Sequence, residues 1–156
     1  TLPYEYLYMD VEGSTIHKSR EFLALKAVET GCTHLLFIDS DMYFGADALE
    51  RLIKRDKDIV GAPYNTKSDP PLATHKIQDK ETIIEELEGD LLKCTGVATG
   101  FMLIKTEVFK KLEHPWFMFE TDIGEDLYFC RKARQAGYDI WCDLSIKIGH
   151  IGETIF

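Results

Sequence analysis

Two short apolar segments without alternation restrict the fold of this chain more than any other feature of its sequence. Residues 34–38 read HLLFI, and residues 58–62 read DIVGA. An uninterrupted apolar run of this length is typical of a strand that is covered on both faces, as in parallel α/β sheets. Between the two runs, residues 46–55 have the pattern of a short amphipathic helix. We therefore predict an α/β fold, with an open, mostly parallel sheet flanked by helices.

A helix is predicted before the first of these strands. It follows a short apolar stretch near residues 6–9, begins at the GST of residues 13–15 and ends at Gly31. The apolar residues that recur at helical spacing are Ile16, Phe22, Leu25 and Val28.

The second half of the chain is less regular. Residues 63–90 contain three of the five prolines and many charges, which predicts a long surface loop or flap. After it we predict a strand over 100–104, a short helix over 106–112 capped by Thr106, a helix over 122–135 ended by Gly137, and short strands at 140–142 and 147–148.

Size and charge limit the classes of function. A chain of 156 residues that is 45% hydrophobic can bury one core, so we expect a single domain over 1–156. The net charge of −9 disfavours nucleic acid and anionic membranes as partners, and an anionic ligand would need a metal ion. Because no apolar run approaches the roughly 18 residues of a membrane span, and no signal peptide is visible, we expect a cytoplasmic protein without a transmembrane segment.

Two carboxylates follow the first predicted strand, in the sequence Asp39-Ser40-Asp41. In open α/β sheets the ligand crevice lies beyond the carboxyl ends of the strands. In an extended backbone both aspartates would point to the same side, because side-chain direction repeats every two residues. Two neighbouring oxygen donors suit Mg²⁺ or Mn²⁺. The alternative is an ordinary turn at the end of a strand, where Asp and Ser are common.

A second acidic pair opens the last long helix. Asp122, followed three residues later by Glu125, predicts a capping box, which explains Glu125 without a function. A capping box does not explain Asp126, which falls on the helix stripe that should face the core. An unpaired carboxylate is costly there, so it usually faces a cleft, a cation or a substrate. The alternative is a first-turn aspartate favoured by the helix dipole.

A single histidine near the end of the chain is flanked by glycines, in the sequence IGHIG. A lone histidine is more often a surface or hydrogen-bonded residue than a ligand. However, the glycines around His150 would let the backbone turn on either side, so its ring could approach a metal ion closely.

Together these segments resemble the family 2-like glycosyltransferases with the GT-A fold. The resemblance covers most of the chain from about Ile16 onward. The motifs that carry it are, in order, LLFIDSDM, DIVGAPY, GVATGFMLIKTEVFKKL, PWF, GEDLYFCRKARQAGYDIWCD and IGHIG.

The resemblance implies a role for the acidic residues and the histidine. Asp39, Ser40 and Asp41 would form the DxD motif, which holds a divalent metal, Mn²⁺ or Mg²⁺, on the diphosphate of a nucleotide sugar. His150 would complete this metal site. Asp126 would match the catalytic base of inverting members of the family.

Further residues are expected near the bound nucleotide and the substrate. Arg20 matches an arginine near the nucleotide in many relatives, and Asp10 would contact the base. Glu125 is expected to take part in catalysis and substrate binding beside the catalytic base. Gly100 is also expected at the substrate. Trp116 would either stack on a sugar face or belong to the core.

The function implied by the resemblance is metal-dependent glycosyl transfer. A sugar would move, with inversion, from a UDP- or GDP-linked donor to a hydroxyl of a glycan or other acceptor. One alternative is a non-catalytic nucleotide- or glycan-binding domain with the same fold. Another is a sugar-nucleotide pyrophosphorylase, which normally carries a glycine-rich, basic amino-terminal loop that is not visible here. The first nucleotide-binding strand of the family is expected to be missing or reduced, and an open sheet edge would favour a homodimer.

Overall fold

The computed structural model describes residues 4–65, 67 and 86–152. The helices in this part of the chain are α1 (Ile16–Glu29), α2 (Ala48–Lys54), α3 (Thr106–Lys111) and α4 (Glu125–Gln135). The strands are β1 (His34–Ile38), β2 (Met42–Phe44), β3 (Ile59–Gly61), β4 (Glu86–Glu88), β5 (Leu91–Cys94), β6 (Phe101–Lys105), β7 (Ile140–Asp143) and β8 (Ile148–His150).

A six-stranded mixed sheet, in the order β1-β6-β3-β7-β5-β4, forms the centre of the molecule. β1 and β3 run in the same direction and are connected through α2, as the sequence predicts. However, β6 lies between them and is antiparallel to both. β3 and β7 form a parallel pair, whereas β5 is antiparallel to β7 and to β4. The α/β class is confirmed, but the prediction of a mostly parallel sheet is wrong for the described strands. An apolar run indicates burial on both faces and carries no information on strand direction.

Helices cover both faces of this sheet. Alternate residues of the strands point to opposite sides, as in Met102 and Leu103 of β6, which belong to two separate core clusters. One cluster packs under α1, α3 and α4. The other packs under α2 and a second, two-stranded sheet of β2 and β8. This second sheet lies next to the carboxyl end of β1, where the acidic residues follow.

The face of α1 that packs on the sheet differs from the predicted one. Its buried residues are Arg20, Ala24 and Ala27, whereas Phe22 and Leu25 are largely exposed. The helix itself is confirmed, but of the predicted apolar stripe only Val28 packs against the core, whereas Ile16, Phe22 and Leu25 are exposed. The small alanines pack against the sheet, and a buried arginine on the same face requires acidic partners.

The predicted loop over 63–90 lies largely outside the described residues. Within its described part, Glu86–Glu88 form β4 and pair with β5, so the loop prediction is wrong for these residues. β5 was not expected from the sequence. No helix in the described part of the chain is long and apolar enough to cross a membrane.

Candidate functional site

The carboxyl end of β1 leads directly into the two-stranded sheet. The Met42 N–H donates a hydrogen bond to the Asp39 carbonyl at 3.2 Å, which closes a turn. β2 then pairs with β8, so that Met42 lies opposite His150. Beside this pair, the Ile151 N–H donates to the Asp41 carbonyl at 2.7 Å. The backbone therefore places the predicted DxD segment next to the predicted histidine.

Arg20 joins the end of β1 to the start of α4. Its Nη2 lies 2.9 Å from Asp39 Oδ1, and its Nε lies 3.3 Å from Glu125 Oε1. The side chains of Arg20 and Glu125 are buried, and that of Asp39 is one-third exposed. Since a buried charge is stable only when it is paired, these ion pairs explain why an arginine occupies the inner face of α1.

The Arg20 contact corrects the prediction of a capping box. The helix α4 begins at Glu125, its N-cap is Gly124, and no side chain caps it. Asp122 lies two residues before this N-cap position, so it cannot act as the N-cap. Glu125 is instead the buried ion-pair partner of Arg20, which lies more than a hundred residues earlier in the chain.

A second cluster forms around Asp41. Its Oδ2 lies 2.7 Å from Lys67 Nζ and 3.2 Å from His150 Nε2. The other ring nitrogen of His150, Nδ1, faces the Asn65 carbonyl at 3.0 Å. A carbonyl only accepts hydrogen bonds, so Nδ1 donates to it, and Nε2 is the nitrogen directed at the carboxylate. Burial acts to raise the pKa of Asp41, but the hydrogen bond from Lys67 and the charges of His150 and Lys67 outweigh it, and the pKa is lowered.

The two aspartates of the DxD segment have different partners. The chain turns after β1, so the strand-end turn is present and the extended backbone on which the same-side prediction relied is not. Ser40 is exposed in this turn. Among the described residues, no group of three His, Cys, Asp or Glu side chains is placed to hold a metal ion. Of the predicted ligands, the structure brings together Asp41 and His150, whereas Asp39 binds Arg20. A role of these residues in metal binding stays a prediction.

Asp126 is a partly buried carboxylate at the first turn of α4. Burial, together with the neighbouring charge of Glu125, raises its pKa to about 6. Its Oδ1 accepts a hydrogen bond from the Leu127 N–H at 2.8 Å, which only partly offsets this effect. A carboxylate with a pKa near 6 is a stronger base than an exposed aspartate and is still largely ionised at pH 7.

Tyr64 contacts the Asp41–His150 cluster and was not identified from the sequence. Its ring packs edge-on against His150, with ring centroids 5.5 Å apart. Burial raises the pKa of its hydroxyl, and the charges of Asp39 and Asp126 raise it further. Since the charges of both carboxylates act on one hydroxyl, Asp39 and Asp126 both lie within electrostatic range of Tyr64.

Gly100 makes room for Tyr64. The Gly100 N–H donates to the Tyr64 hydroxyl at 3.1 Å, and a Cβ at this position would lie only 2.2 Å from that oxygen. The Gly100 carbonyl also accepts the Asp39 N–H at 3.0 Å. Gly100 is itself buried, so its effect on the site is exerted through the positions of Tyr64 and Asp39.

Two other predicted residues lie away from these contacts. Trp116 is 3% exposed, its Nε1 donates to the Leu112 carbonyl at 2.9 Å, and its ring packs on Phe109. The core alternative therefore describes its place in the structure. Asp10 is exposed in the segment before α1, and its expected contact with a base stays a prediction.

The residues that sequence reasoning missed follow β3. Tyr64, Asn65 and Lys67 all contact the Asp41–His150 pair or its ring, but they lie in a stretch that reads only as a turn-rich loop. The available signal was their position directly beyond the carboxyl end of a buried strand, the same argument that identified Asp39 and Asp41.

Comparisons with known proteins identify related folds. No protein-family model and no curated protein matches the chain. Among solved structures, A197 from STIV matches over 90% of this chain and 69% of its own, with a TM-score of 0.65 and 22% identity. GalNAc-T7, in a structure with UDP, GalNAc and Mn²⁺, matches over 88% of this chain with a TM-score of 0.58 and 14% identity. This chain spans only 30% of that structure's length. At these identities the likeness shows a shared fold.

Proposed function

We propose that this chain is a metal-dependent glycosyltransferase that moves a sugar from a nucleotide diphosphate donor to an acceptor hydroxyl. The observation that carries the proposal is the convergence of Asp41 and His150 at the carboxyl end of β1. Tyr64, whose ring packs on His150, also lies within electrostatic range of Asp126, a carboxylate whose pKa is raised to about 6. The fold of GalNAc-T7, whose structure contains UDP, GalNAc and Mn²⁺, supports the choice of donor class and cofactor.

The Asp41–His150 pair would hold the metal ion. One carboxylate oxygen and one imidazole nitrogen suit Mn²⁺ or Mg²⁺ when phosphate oxygens and water supply the remaining ligands. The fit to a cation is supported by Lys67, whose ammonium already lies on the same Asp41 oxygen that His150 faces. When bound, the metal supplies charge neutralisation for a diphosphate leaving group.

Asp39 would contribute from the Arg20 side of the site. Its carboxylate uses Oδ1 for Arg20 and remains one-third exposed, so it is accessible to a metal ion or nucleotide. Arg20 is buried and committed to two carboxylate contacts, one with the buried Glu125 and one with the partly exposed Asp39, and we therefore assign it a positioning role. It holds the first turn of α4, with Glu125 and Asp126, against the end of β1.

Asp126 would act as the general base. The acceptor oxygen attacks the anomeric carbon, its proton passes to the Asp126 carboxylate, and the bond to the diphosphate breaks with its electron pair leaving on the phosphate oxygen. Attack from the face opposite the diphosphate inverts the anomeric centre. The raised pKa suits this role, because an ionised carboxylate with a pKa of about 6 accepts a proton more readily than an ordinary aspartate.

Calorimetric titration tests the binding half of this proposal. UDP and GDP are each titrated with and without Mn²⁺ into the wild type, Asp41→Ala and the control Asp47→Ala, which removes an equal charge from a side chain that is 67% exposed. We expect binding of one nucleotide that requires Mn²⁺, is lost in Asp41→Ala and is retained in Asp47→Ala. Equal binding by Asp41→Ala would remove the Asp41 site from the proposal. No nucleotide binding by the wild type would contradict the proposed function.

A non-catalytic binding domain is the second candidate. It is favoured by the ion pair of Arg20 with Asp39 and by the lack of a three-donor metal group among the described residues. The two candidates differ in turnover. The test uses the sugar donor of the nucleotide that binds. If the chain is a transferase, the wild type releases free nucleoside diphosphate from this donor, whereas Asp126→Asn binds the donor and releases no nucleoside diphosphate. If the chain is a binding domain, the wild type and Asp126→Asn bind the donor with the same affinity and neither releases nucleoside diphosphate.

A further inference from the structure

Lys67 contacts Asp41, one of the proposed metal ligands. Its Nζ is 2.7 Å from Asp41 Oδ2, the oxygen that also lies 3.2 Å from His150 Nε2. Both side chains of the Lys67–Asp41 pair are exposed, at 40% and 37%. An exposed pair of this kind contributes little to stability, so the structure of the domain does not depend on it.

The two basic residues of the site are held very differently. Arg20 is buried and contacts both Asp39 and Glu125, so moving it would leave the buried Glu125 carboxylate without its ion-pair partner. The ammonium group of Lys67 lies at the end of a flexible four-carbon side chain and contacts the exposed carboxylate of Asp41. Of these two cations, Lys67 is therefore the one that can exchange its partner at little cost.

The backbone next to Lys67 is anchored to the same site. Two residues earlier, the Asn65 carbonyl accepts a hydrogen bond from Nδ1 of His150, and the ring of the adjacent Tyr64 packs on that histidine. These contacts keep the origin of the Lys67 side chain close to Asp41 even after its ammonium has moved. A metal–diphosphate complex at Asp41 would displace the ammonium and at the same time bring new anionic oxygens within its reach.

We propose that Lys67 is a diphosphate-binding residue that rests on Asp41 in the free protein and transfers to the phosphate oxygens when nucleotide and metal bind. This inference rests on the proposed function. A lysine ammonium offers three donors as a point charge, which suits phosphate oxygens. Lys67 thus competes with the metal in the absence of nucleotide and supports nucleotide binding in its presence.

The substitution Lys67→Met separates these two effects because it keeps most of the apolar stem and removes the charge. Binding of Mn²⁺ alone, followed by the electron paramagnetic resonance signal of the free ion, should become about two- to fivefold tighter when the competing ion pair is lost. Binding of the nucleoside diphosphate at saturating Mn²⁺, followed by calorimetry, should become about tenfold weaker, because a charge-assisted hydrogen bond is lost. Lys67→Arg should restore most of the nucleotide affinity.

The inference requires that Lys67→Met changes the two affinities in opposite directions, with Mn²⁺ bound more tightly and the nucleotide more weakly. Lys54→Met is the control, because it removes an exposed charge that pairs with Glu50 on α2, and it should change neither constant. The inference is overturned if Lys67→Met leaves Mn²⁺ affinity unchanged, if neither protein binds Mn²⁺ alone, or if nucleotide affinity matches the wild type. Failure of the wild type to bind UDP or GDP with Mn²⁺ would instead overturn the proposed function itself.

Discussion

The substitution Asp126→Asn should stabilise the protein at neutral pH. The pKa of Asp126 is raised from 3.8 to about 6 in the folded state, mainly by burial and then by the charge of Glu125. A shift of about 2 units corresponds to a cost of ~3 kcal/mol for keeping the carboxylate ionised in the folded protein. Asparagine has nearly the same shape and carries no charge, and its Oδ1 can still accept the Leu127 N–H.

The pH dependence of this gain follows from proton linkage. Between pH 3.8 and about 6 the folded wild type binds more protons at Asp126 than the unfolded chain does. Its free energy of unfolding therefore falls as the pH rises through this window and is constant above it, as far as this group is concerned. The difference between Asp126→Asn and the wild type should be small near pH 4 and reach ~3 kcal/mol above about pH 7.

Urea unfolding of the two proteins at several pH values between 4 and 8 measures this difference directly, since contributions from other groups largely cancel. The corresponding rise in Tm above pH 7 is about 2–4 °C per kcal/mol for a chain of this size. Asp47→Asn, at an exposed position, is the matched control. A stability gap that is independent of pH, or that is largest at pH 4, would refute the assignment of a buried, high-pKa carboxylate to Asp126.

Three further outcomes are expected. Arg20→Met should lower the free energy of unfolding by about 3–5 kcal/mol in urea titrations, because it leaves the buried Glu125 carboxylate without its partner; a loss below about 1 kcal/mol would contradict the ion-pair account. Gly100→Ala should cost about 1–3 kcal/mol and weaken nucleotide binding, since the new Cβ collides with the Tyr64 hydroxyl. Adding Tyr64→Phe should recover part of this loss, whereas strictly additive costs would be evidence against the collision. If transfer uses Asp126 as its base, the rate should fall about tenfold per pH unit below about pH 6, and a rate that does not change with pH there would exclude this role.

The strands β1, β3 and β6 could be predicted from the sequence because burial on two faces leaves a local pattern, whereas β2, β4 and β5 were not predicted. The run HLLFI predicted β1 with its observed limits, and the runs that became β3 and β6 were placed within a residue or two. Strand direction has no such local pattern. The position of β6 between β1 and β3 depends on which neighbour completes its hydrogen bonds, and both directions bury the same side chains.

The inner face of α1 shows a different limit of sequence reasoning. The helical periodicity of large apolar residues favoured Phe22 and Leu25, which are exposed. Small alanines contribute little to such a pattern. The actual face uses alanines and Arg20, whose burial depends on two carboxylates that are distant in sequence. A contact across more than a hundred residues leaves no periodic signal, so the capping-box pattern at Glu125 was a reasonable but incorrect explanation.

Within the site, the environment separates two adjacent carboxylates into two roles. Glu125 is buried and engaged by Arg20, whose guanidinium compensates its charge. Asp126, one residue further along α4, is partly buried. Burial and then the charge of Glu125 raise its pKa, and the charge of Arg20 lowers it. The buried ion pair therefore does more than attach α4 to the sheet, because the charge of Glu125 contributes to the basicity of its neighbour. A pair of titratable groups whose surroundings differ in this way is the usual mark of an acid or base in catalysis. Here burial is the main cause of the raised pKa of Asp126, whereas the arginine of α1 engages its neighbour Glu125 in an ion pair.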